Sequence, residues 1–403
     1  MDKIVIIGGG HAAGQAAASL RQDGYEGEIC IIGDEPHLPY QRPPLSKQYL
    51  LGEHGLERGV YLRPEKFYTD KNVEVRTGVT VTAIDTEGKT VTTSKGDVIE
   101  WTQLLIATGS RPRVLNIPGS DLDGIYYMRT IADVDKIKAA METAKSMVIV
   151  GAGYIGLEVA SVAVTQGLEV SVLEMESRIL QRVTTPEMSE YYSDLHTSRG
   201  VNIFTETAVS AFEGDDGKVK NVIAGNLSLP ADIVVVGIGI VPNVELAAEA
   251  GLEVDNGIVV DDHCRTSIPG IYAAGDCTNH PNLLLGRRIR LESVPNAMEQ
   301  ARVAAANMAG GDKVYDAVPW FWSDQYELKL QMVGFSADGD TQVLRGDKDA
   351  NQFAVFYLKD GKVVAVDAVN SPREFMVCKQ LYGKPVDPAV LADPDTDLKS
   401  LMS

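Results

Sequence analysis

Two clusters of glycine carry the most legible chemistry in this chain. Gly8-Gly9-Gly10-His11-Ala12-Ala13-Gly14 follows the apolar run Ile4-Val5-Ile6-Ile7, and Gly151-Ala152-Gly153-Tyr154-Ile155-Gly156 follows Met147-Val148-Ile149-Val150. Each stands where a buried strand turns sharply into a helix. The first glycine allows the tight turn and the second lets a pyrophosphate approach the backbone. The third, or an alanine such as Ala13, lets helix and strand pack closely. The helix start then offers unbonded N–H groups and a positive dipole end to phosphate. Each cluster also runs on to a carboxylate placed for a ribose hydroxyl. Asp34 follows Ile29-Cys30-Ile31-Ile32, and Glu174 follows Val170-Ser171-Val172-Leu173. Two dinucleotide cradles on one chain imply electron transfer between a flavin and a nicotinamide. Glu174 favours NADH over NADPH, whose extra phosphate would meet this carboxylate, although Arg178 follows closely.

The elements that must position these residues form a repeat. Residues 4–34 and 147–174 each read as strand, glycine turn, helix, strand, with helices from Ala12 to about Arg21 and from Ile155 to about Val164. Val73-Glu74-Val75, Thr80-Val81-Thr82-Ala83-Ile84 and Thr90-Val91-Thr92 are expected to form one β-meander. Leu104-Leu105-Ile106-Ala107-Thr108-Gly109 reads as a short buried strand ending on glycine. Residues 232–240 repeat that pattern after a strand at 201–204 and a second meander. The breakers Ser110-Arg111-Pro112-Arg113 and Val241-Pro242-Asn243 mark crossings between domains. A helix is expected over 297–308. Beyond 313 the pattern changes: Trp320 and Trp322, a strand at 353–357, a helix near 374–381, and an acidic end from Pro385 that reads as a tail or a short closing helix. His11 reads as an exposed helix-start residue.

At 403 residues the chain is too long for one core. Its 44% hydrophobic and 23% charged residues are ordinary for a soluble protein. A net charge of −19 argues against nucleic acid or anionic membrane as partner. No apolar run approaches the ~18 residues of a membrane span. Cys30, Cys264, Cys277 and Cys378 form no C-x-x-C pair, so no metal or cluster site is expected. A strand begins almost at the first residue, leaving no room for a signal peptide. A cytoplasmic protein without disulfides is expected.

The string Pro39-Tyr40-Gln41-Arg42-Pro43-Pro44-Leu45-Ser46-Lys47 is the most specific in the chain. It is joined by Ala107-Thr108-Gly109, Gly275-Asp276-Cys277, Glu292-Ser293-Val294-Pro295-Asn296-Ala297 and Pro319-Trp320-Phe321-Trp322-Ser323-Asp324-Gln325. The set closely resembles the FAD-dependent NADH:ferredoxin reductases of bacterial oxygenase systems, the family of putidaredoxin reductase and the biphenyl dioxygenase reductase. The likeness runs over essentially the whole chain. It implies an α/β fold: two Rossmann-like dinucleotide-binding domains, glutathione reductase-like, plus a C-terminal α+β interface domain. The FAD domain would comprise 1–110 and 242–312, the NADH domain 111–241, and the interface domain 313–403.

The resemblance also implies site residues. Gly8, Gly10, Ala12, Ala13 and Asp34 would hold the adenosine end of FAD, and Val81 would contact its adenine side. Ala107, Thr108 and Gly109 would line the cofactor, with Arg129 against it. Asp276 would bond the ribityl chain, Val294 would sit at the flavin ring, and Lys47 would face the isoalloxazine. Trp322, sharing a strand face with Trp320, would cover the ring's outer edge or pack the core. NADH would take Gly151, Gly153, Tyr154, Ile155, Gly156, Glu158, Glu174 and Gly239.

Hydride transfer needs alignment more than an acid or base. In the resembling family a lysine and a glutamate at these positions pair beside the flavin. Lys47 is therefore expected to stabilise the reduced ring, while Glu158, on the first turn of its helix, orients it and borders the nicotinamide. The rival reading is an exposed pair worth ~0–1 kcal/mol. The helix after Val294-Pro295 is expected to present N–H groups to negative charge on the flavin, proline being suited to a first turn. No thiol neighbours Lys47 in sequence, so electrons are expected to leave directly to a one-electron acceptor. The family implies a 2Fe–2S ferredoxin and, through it, a cytochrome P450 or Rieske oxygenase. An acidic ferredoxin needs a basic rim on this acidic chain. Arg63, Arg287, Arg288, Arg290, Arg302 and Lys329 are the candidates, and each also reads as a solvated charge. Two other readings stay open: a rubredoxin reductase or NADH oxidase, and a redox-signalling flavoprotein resembling apoptosis-inducing factor.

Overall fold

The computed structural model describes residues 2–402. One compact unit comprises Met1–Arg42, His54–Arg111 and Ile240–Pro319. Its apolar runs form a five-stranded parallel sheet, in the order Ile271–Ala273, Gln103–Ile106, Lys3–Ile7, Glu28–Ile32, Val73–Arg76. Continuous apolar runs suit such a sheet, because both faces are covered. Val73–Arg76 pairs in parallel with Glu28–Ile32 and does not join a meander. The meander is Val81–Asp85, Thr90–Thr93 and Val98–Glu100. Three short runs of alternating residues look alike in sequence, and the first is drawn away by the edge of the parallel sheet.

Helix His11–Gln22 follows the first strand and buries its entire first turn, His11 included. The exposed reading of His11 is thereby corrected. Its alanines Ala12, Ala13, Ala16 and Ala17 share a core with Ala297, Ala301, Ala304 and Ala305 of helix Val294–Met308. Side chains this small let two helices approach closely.

The second unit comprises Pro43–Glu53, Pro112–Gly239 and Trp320–Ser403. Its parallel sheet runs Val201–Phe204, Glu169–Leu173, Ser146–Val150, Ile233–Val236, Ile125–Tyr127. Helix Tyr154–Thr165 lies behind its glycine turn, with Gly156 through Ala163 all buried. The meander is Ala211–Asp215, Lys218–Ala224 and Leu227–Pro230. The chain thus builds one design twice: parallel sheet, glycine turn, antiparallel three-stranded meander.

The last part of this unit is a five-stranded antiparallel sheet, ordered Trp320–Gln325, Leu328–Gly334, Lys362–Val369, Gln352–Lys359, Thr341–Asp347. Helix Pro372–Leu381 packs against it. The acidic end closes on this sheet as a short helix, Pro388–Ala392, and a turn of 3₁₀ helix, Leu398–Met402; Ser403 lies outside the described residues. Buried Arg345 holds this end by donating to the carbonyls of Leu391, Asp393, Pro394 and Thr396 while pairing with Glu374. No helix among the described residues is long and apolar enough to cross a membrane.

Asp367 is buried within this sheet, accepting from the hydroxyls of Thr184 at 2.6 Å and Tyr357 at 2.9 Å. Burial outweighs those bonds and pushes its carboxyl up to about 6. Because the folded value is raised, the group's stabilising contribution is full below the ordinary carboxylate range. It is lost as pH rises from there through about 6. Asp367→Asn keeps an acceptor oxygen and removes the titration. Urea unfolding between pH 4 and 7 should show the wild type losing roughly 2 kcal/mol relative to the variant. Parallel pH profiles for the two proteins would contradict the assignment.

Candidate functional site

In the first unit the turn from Lys3–Ile7 into His11–Gln22 has the geometry of a phosphate cradle. Gly8 has φ +122°, and a Cβ there would lie 2.1 Å from Ala107 O. Gly10, the N-cap, has nothing within 4 Å of a Cβ position and no side-chain cap. The helix start is therefore open and carries no side-chain cap, which suits a pyrophosphate. By contrast, Thr130 and Asp133 close the start of helix Ile131–Met141 with a reciprocal capping box. Asp34 is exposed just beyond Glu28–Ile32, and Val81 is buried at the start of its strand. Thr108 donates to Asn243 O, and Asn243 returns a bond to Thr108 O, fixing the Ala107-Thr108-Gly109 turn. Asp276 accepts from Ser110 at 2.9 Å. The turn before it is held by buried Gln300, which accepts from Gly275 N and Thr278.

Helix Val294–Met308 presents fewer donors than expected. Ser293 Oγ takes the Asn296 N–H, Ala297 N bonds Ser293 O, and Pro295 has none, so Val294 N–H is the first-turn donor left unused. The signal for this was in the sequence, since serine before a helix is a strong cap. Tyr40 and Arg42, inside the most specific string, both bind Glu35, an acid the sequence reading passed over for Asp34.

The second unit repeats the cradle. A Cβ on Gly151 would lie 2.4 Å from Gly237 O, while Gly153, the N-cap, again opens on nothing within 4 Å. Gly156 packs against Gly151 O. Glu174 accepts from Ala152 N at 2.8 Å and Glu176 N at 3.0 Å, so its carboxylate is pinned to the glycine turn. Arg178 is tied elsewhere, to Ser189 Oγ and Gln181 O. Gly239 has φ +103° and accepts from Arg113 N. Tyr154 places its ring 5.2 Å from that of Phe321 and its hydroxyl 2.8 Å from Met332 Sδ. Ile155 is exposed, and Arg129 precedes the capped helix start at Thr130. Trp320 and Trp322 do share a face, with ring centroids 5.7 Å apart, and Trp320 also meets Phe375.

Lys47 and Glu158 lie together within this unit. Lys47 Nζ is 2.7 Å from Glu158 Oε2, with side-chain exposures of 9% and 4%. A pair buried this deeply is not the exposed pair of the rival reading. Glu158 sits on the second turn of helix Tyr154–Thr165 rather than the first. Two further donors complete it: Ser46 to Oε2 at 2.5 Å and Ser323 to Oε1 at 2.6 Å. The sequence reading missed both serines, although each stands inside a quoted string. Tyr49 donates to Asp135 at 2.7 Å, securing segment Pro43–Glu53 to helix Ile131–Met141.

The four thiols are buried and unbonded to one another. Burial raises each of them, Cys30 to about 12, which makes poor nucleophiles. Of the basic candidates, Arg63, Arg287, Arg288 and Lys329 are exposed. Arg288 nevertheless directs its guanidinium to Val260 O and Asn279. Arg290 pairs with Glu292 and Arg302 with Glu299.

Removing one partner of the Lys47–Glu158 pair leaves a buried charge uncompensated. Glu158→Leu should therefore cost about 3–5 kcal/mol in urea unfolding, and adding Lys47→Met should restore most of it. Equal stability of Glu158→Leu and wild type would contradict the burial of this pair.

The family model described as "Pyridine nucleotide-disulphide oxidoreductase" matches residues 2–301, and that described as "Reductase C-terminal" matches 320–402. Rhodocoxin reductase of Rhodococcus erythropolis is 43% identical, over 98% of this chain and 93% of the relative. The solved ferredoxin reductase for the CYP199A2 system of Rhodopseudomonas palustris is 41% identical, with TM-score 0.96 over 100% of both chains. Putidaredoxin reductase in its covalent complex with putidaredoxin is 42% identical, with TM-score 0.95 over 100% of this chain and 98% of that one. The chain belongs to the pyridine nucleotide-disulphide oxidoreductase family, in its ferredoxin reductase branch.

Proposed function

We propose that this protein is a cytoplasmic FAD-dependent NADH:ferredoxin oxidoreductase that supplies single electrons to a 2Fe–2S ferredoxin serving a cytochrome P450 or Rieske oxygenase. The observation that carries this is the full-length likeness, through both family models, to proteins named ferredoxin reductases. FAD, when bound, accepts a hydride and gives up its electrons one at a time. The open cradle at Gly8 and Gly10 fits the pyrophosphate of FAD, and Asp34 its ribose. The cradle at Gly151 and Gly153 fits NADH. Asp276, fixed by Ser110, is placed in a turn that suits a polyol chain. The four inert thiols support direct transfer to a protein acceptor and a reducing compartment.

Lys47 supplies positive charge to the reduction step, and Glu158 keeps that charge oriented. The pair acts by position and field and moves no proton. Glu174 selects NADH, because a 2′-phosphate would approach a carboxylate already pinned by two N–H groups. Arg178 is bound to Ser189 and Gln181, which leaves that phosphate without its nearest basic neighbour in sequence. The docking candidates remain Arg63, Arg287, Arg288, Arg290, Arg302 and Lys329; of these, Arg288 is held by Val260 and Asn279, Arg290 by Glu292 and Arg302 by Glu299.

The test is reduction of cytochrome c by the purified FAD-loaded chain, with and without a 2Fe–2S ferredoxin encoded beside it. Saturable stimulation by ferredoxin is expected, with kcat/KM for NADH at least about tenfold above NADPH, the scale of one like-charge contact. Peroxide formation or rubredoxin reduction in place of stimulation would move the assignment to an oxidase or rubredoxin reductase. Equal use of the two nucleotides would remove Glu174 from its role.

A further inference from the structure

Glu158 stands at the end of a buried hydrogen-bonded chain that the reduction chemistry does not itself require. Ser323 Oγ is 2.6 Å from Glu158 Oε1, and Gln325 Nε2 is 3.2 Å from Ser323 Oγ. His196 Nε2 is 2.8 Å from Gln325 Oε1, and Tyr326 OH is 3.1 Å from His196 Nδ1. Ser323 and His196 are 0% exposed and Gln325 1%. Tyr326 stands at the turn between strands Trp320–Gln325 and Leu328–Gly334, with φ 54°. Arg199 lies 5.1 Å from its ring and pairs with the exposed Glu327.

The direction of every bond is forced from one end. An ionised carboxylate only accepts, so the Ser323 proton goes to Glu158. Ser323 Oγ must then accept from the Gln325 amide nitrogen. That turns the Gln325 carbonyl oxygen toward His196, whose Nε2 therefore carries the proton. Nδ1 is left bare and accepts the Tyr326 hydroxyl. All four donors point toward Glu158. Burial pushes His196 down to about 4, which keeps the ring neutral and compatible with this tautomer. Aligned donors in a low-dielectric interior polarise one another.

We propose that Tyr326, His196, Gln325 and Ser323 are positioning residues for the reduction step, a one-way donor chain that fixes Glu158 Oε1 and supports its negative charge. Oε2 is thereby left to Lys47 and Ser46. The proposal rests on the reading that Glu158 serves hydride transfer. It extends that role to a hairpin turn whose tyrosine touches neither Glu158 nor Lys47 in the bonds that define the chain.

The test uses the FAD-loaded chain and two readouts. Infrared difference spectra, with Glu158→Gln subtracted to isolate the Glu158 carboxylate band, report its hydrogen bonding without turnover. Rapid mixing with NADH reports the rate of flavin bleaching. Ser323→Ala should shift the band and slow bleaching about tenfold, the scale of one bond to a charged group. Ser323→Cys, a weaker donor of similar shape, should fall between the two. Tyr326→Phe should shift the band in the same direction and slow bleaching about twofold through lost polarisation, with NADH affinity unchanged. A Tyr326→Phe band identical to wild type would overturn the chain. Glu158→Gln separates the two claims: undiminished bleaching there sinks the underlying reading, and the Tyr326→Phe band still decides the chain.

Discussion

A carboxylate buried within a helix is unfavourable unless its lone pairs are met, and Glu158 meets that condition with donors from two distant stretches of sequence. Ser46 and Lys47 come from the proline-rich segment, and Ser323 comes from the first strand of the C-terminal sheet. One charge thus constrains where three separate pieces of chain must go. Segment Pro43–Glu53 groups with the second unit, although the residues on either side of it belong to the first. The bonds to Glu158, with Tyr49 on Asp135, give the physical reason. The pair need not add stability to be kept, since apolar residues of like volume often do as well.

The remaining site features are backbone features. Each cradle depends on a glycine whose Cβ would strike a neighbouring carbonyl and on a second that faces open space. The helix starts behind them have no side-chain cap, where neighbouring helices use Thr130 or Ser293 to satisfy their own donors. The carboxylate of Glu174 is held by the backbone of the neighbouring glycine turn. Preorganisation of this kind reduces the reorganisation required when a dinucleotide binds.

Much of this was legible in the sequence. Glycine spacing, apolar runs and the following acids are local signals, and the doubled design, the parallel sheets and both glycine turns follow from them. What failed was long-range. Val73–Arg76 has the alternation of a meander strand, and only the free edge beside Glu28–Ile32 decides otherwise. Ser46 and Ser323 are small polar residues in strings read for their prolines and tryptophans; their roles depend on a carboxylate far away in sequence. His196 looks like any helix histidine until Gln325 and Tyr326 are brought to its two nitrogens. At the start of Val294–Met308 the Ser293 cap, which takes one of the first-turn donors, was there to be read.

The most direct measurement is a double-mutant cycle on Lys47 and Glu158, reading the single-turnover rate at which NADH bleaches the bound flavin. Lys47→Met and Glu158→Gln should each slow that step by about tenfold or more, and the double variant should be little slower than either, because the two side chains act as one unit. Rates close to wild type in both single variants, with flavin retained, would contradict the account.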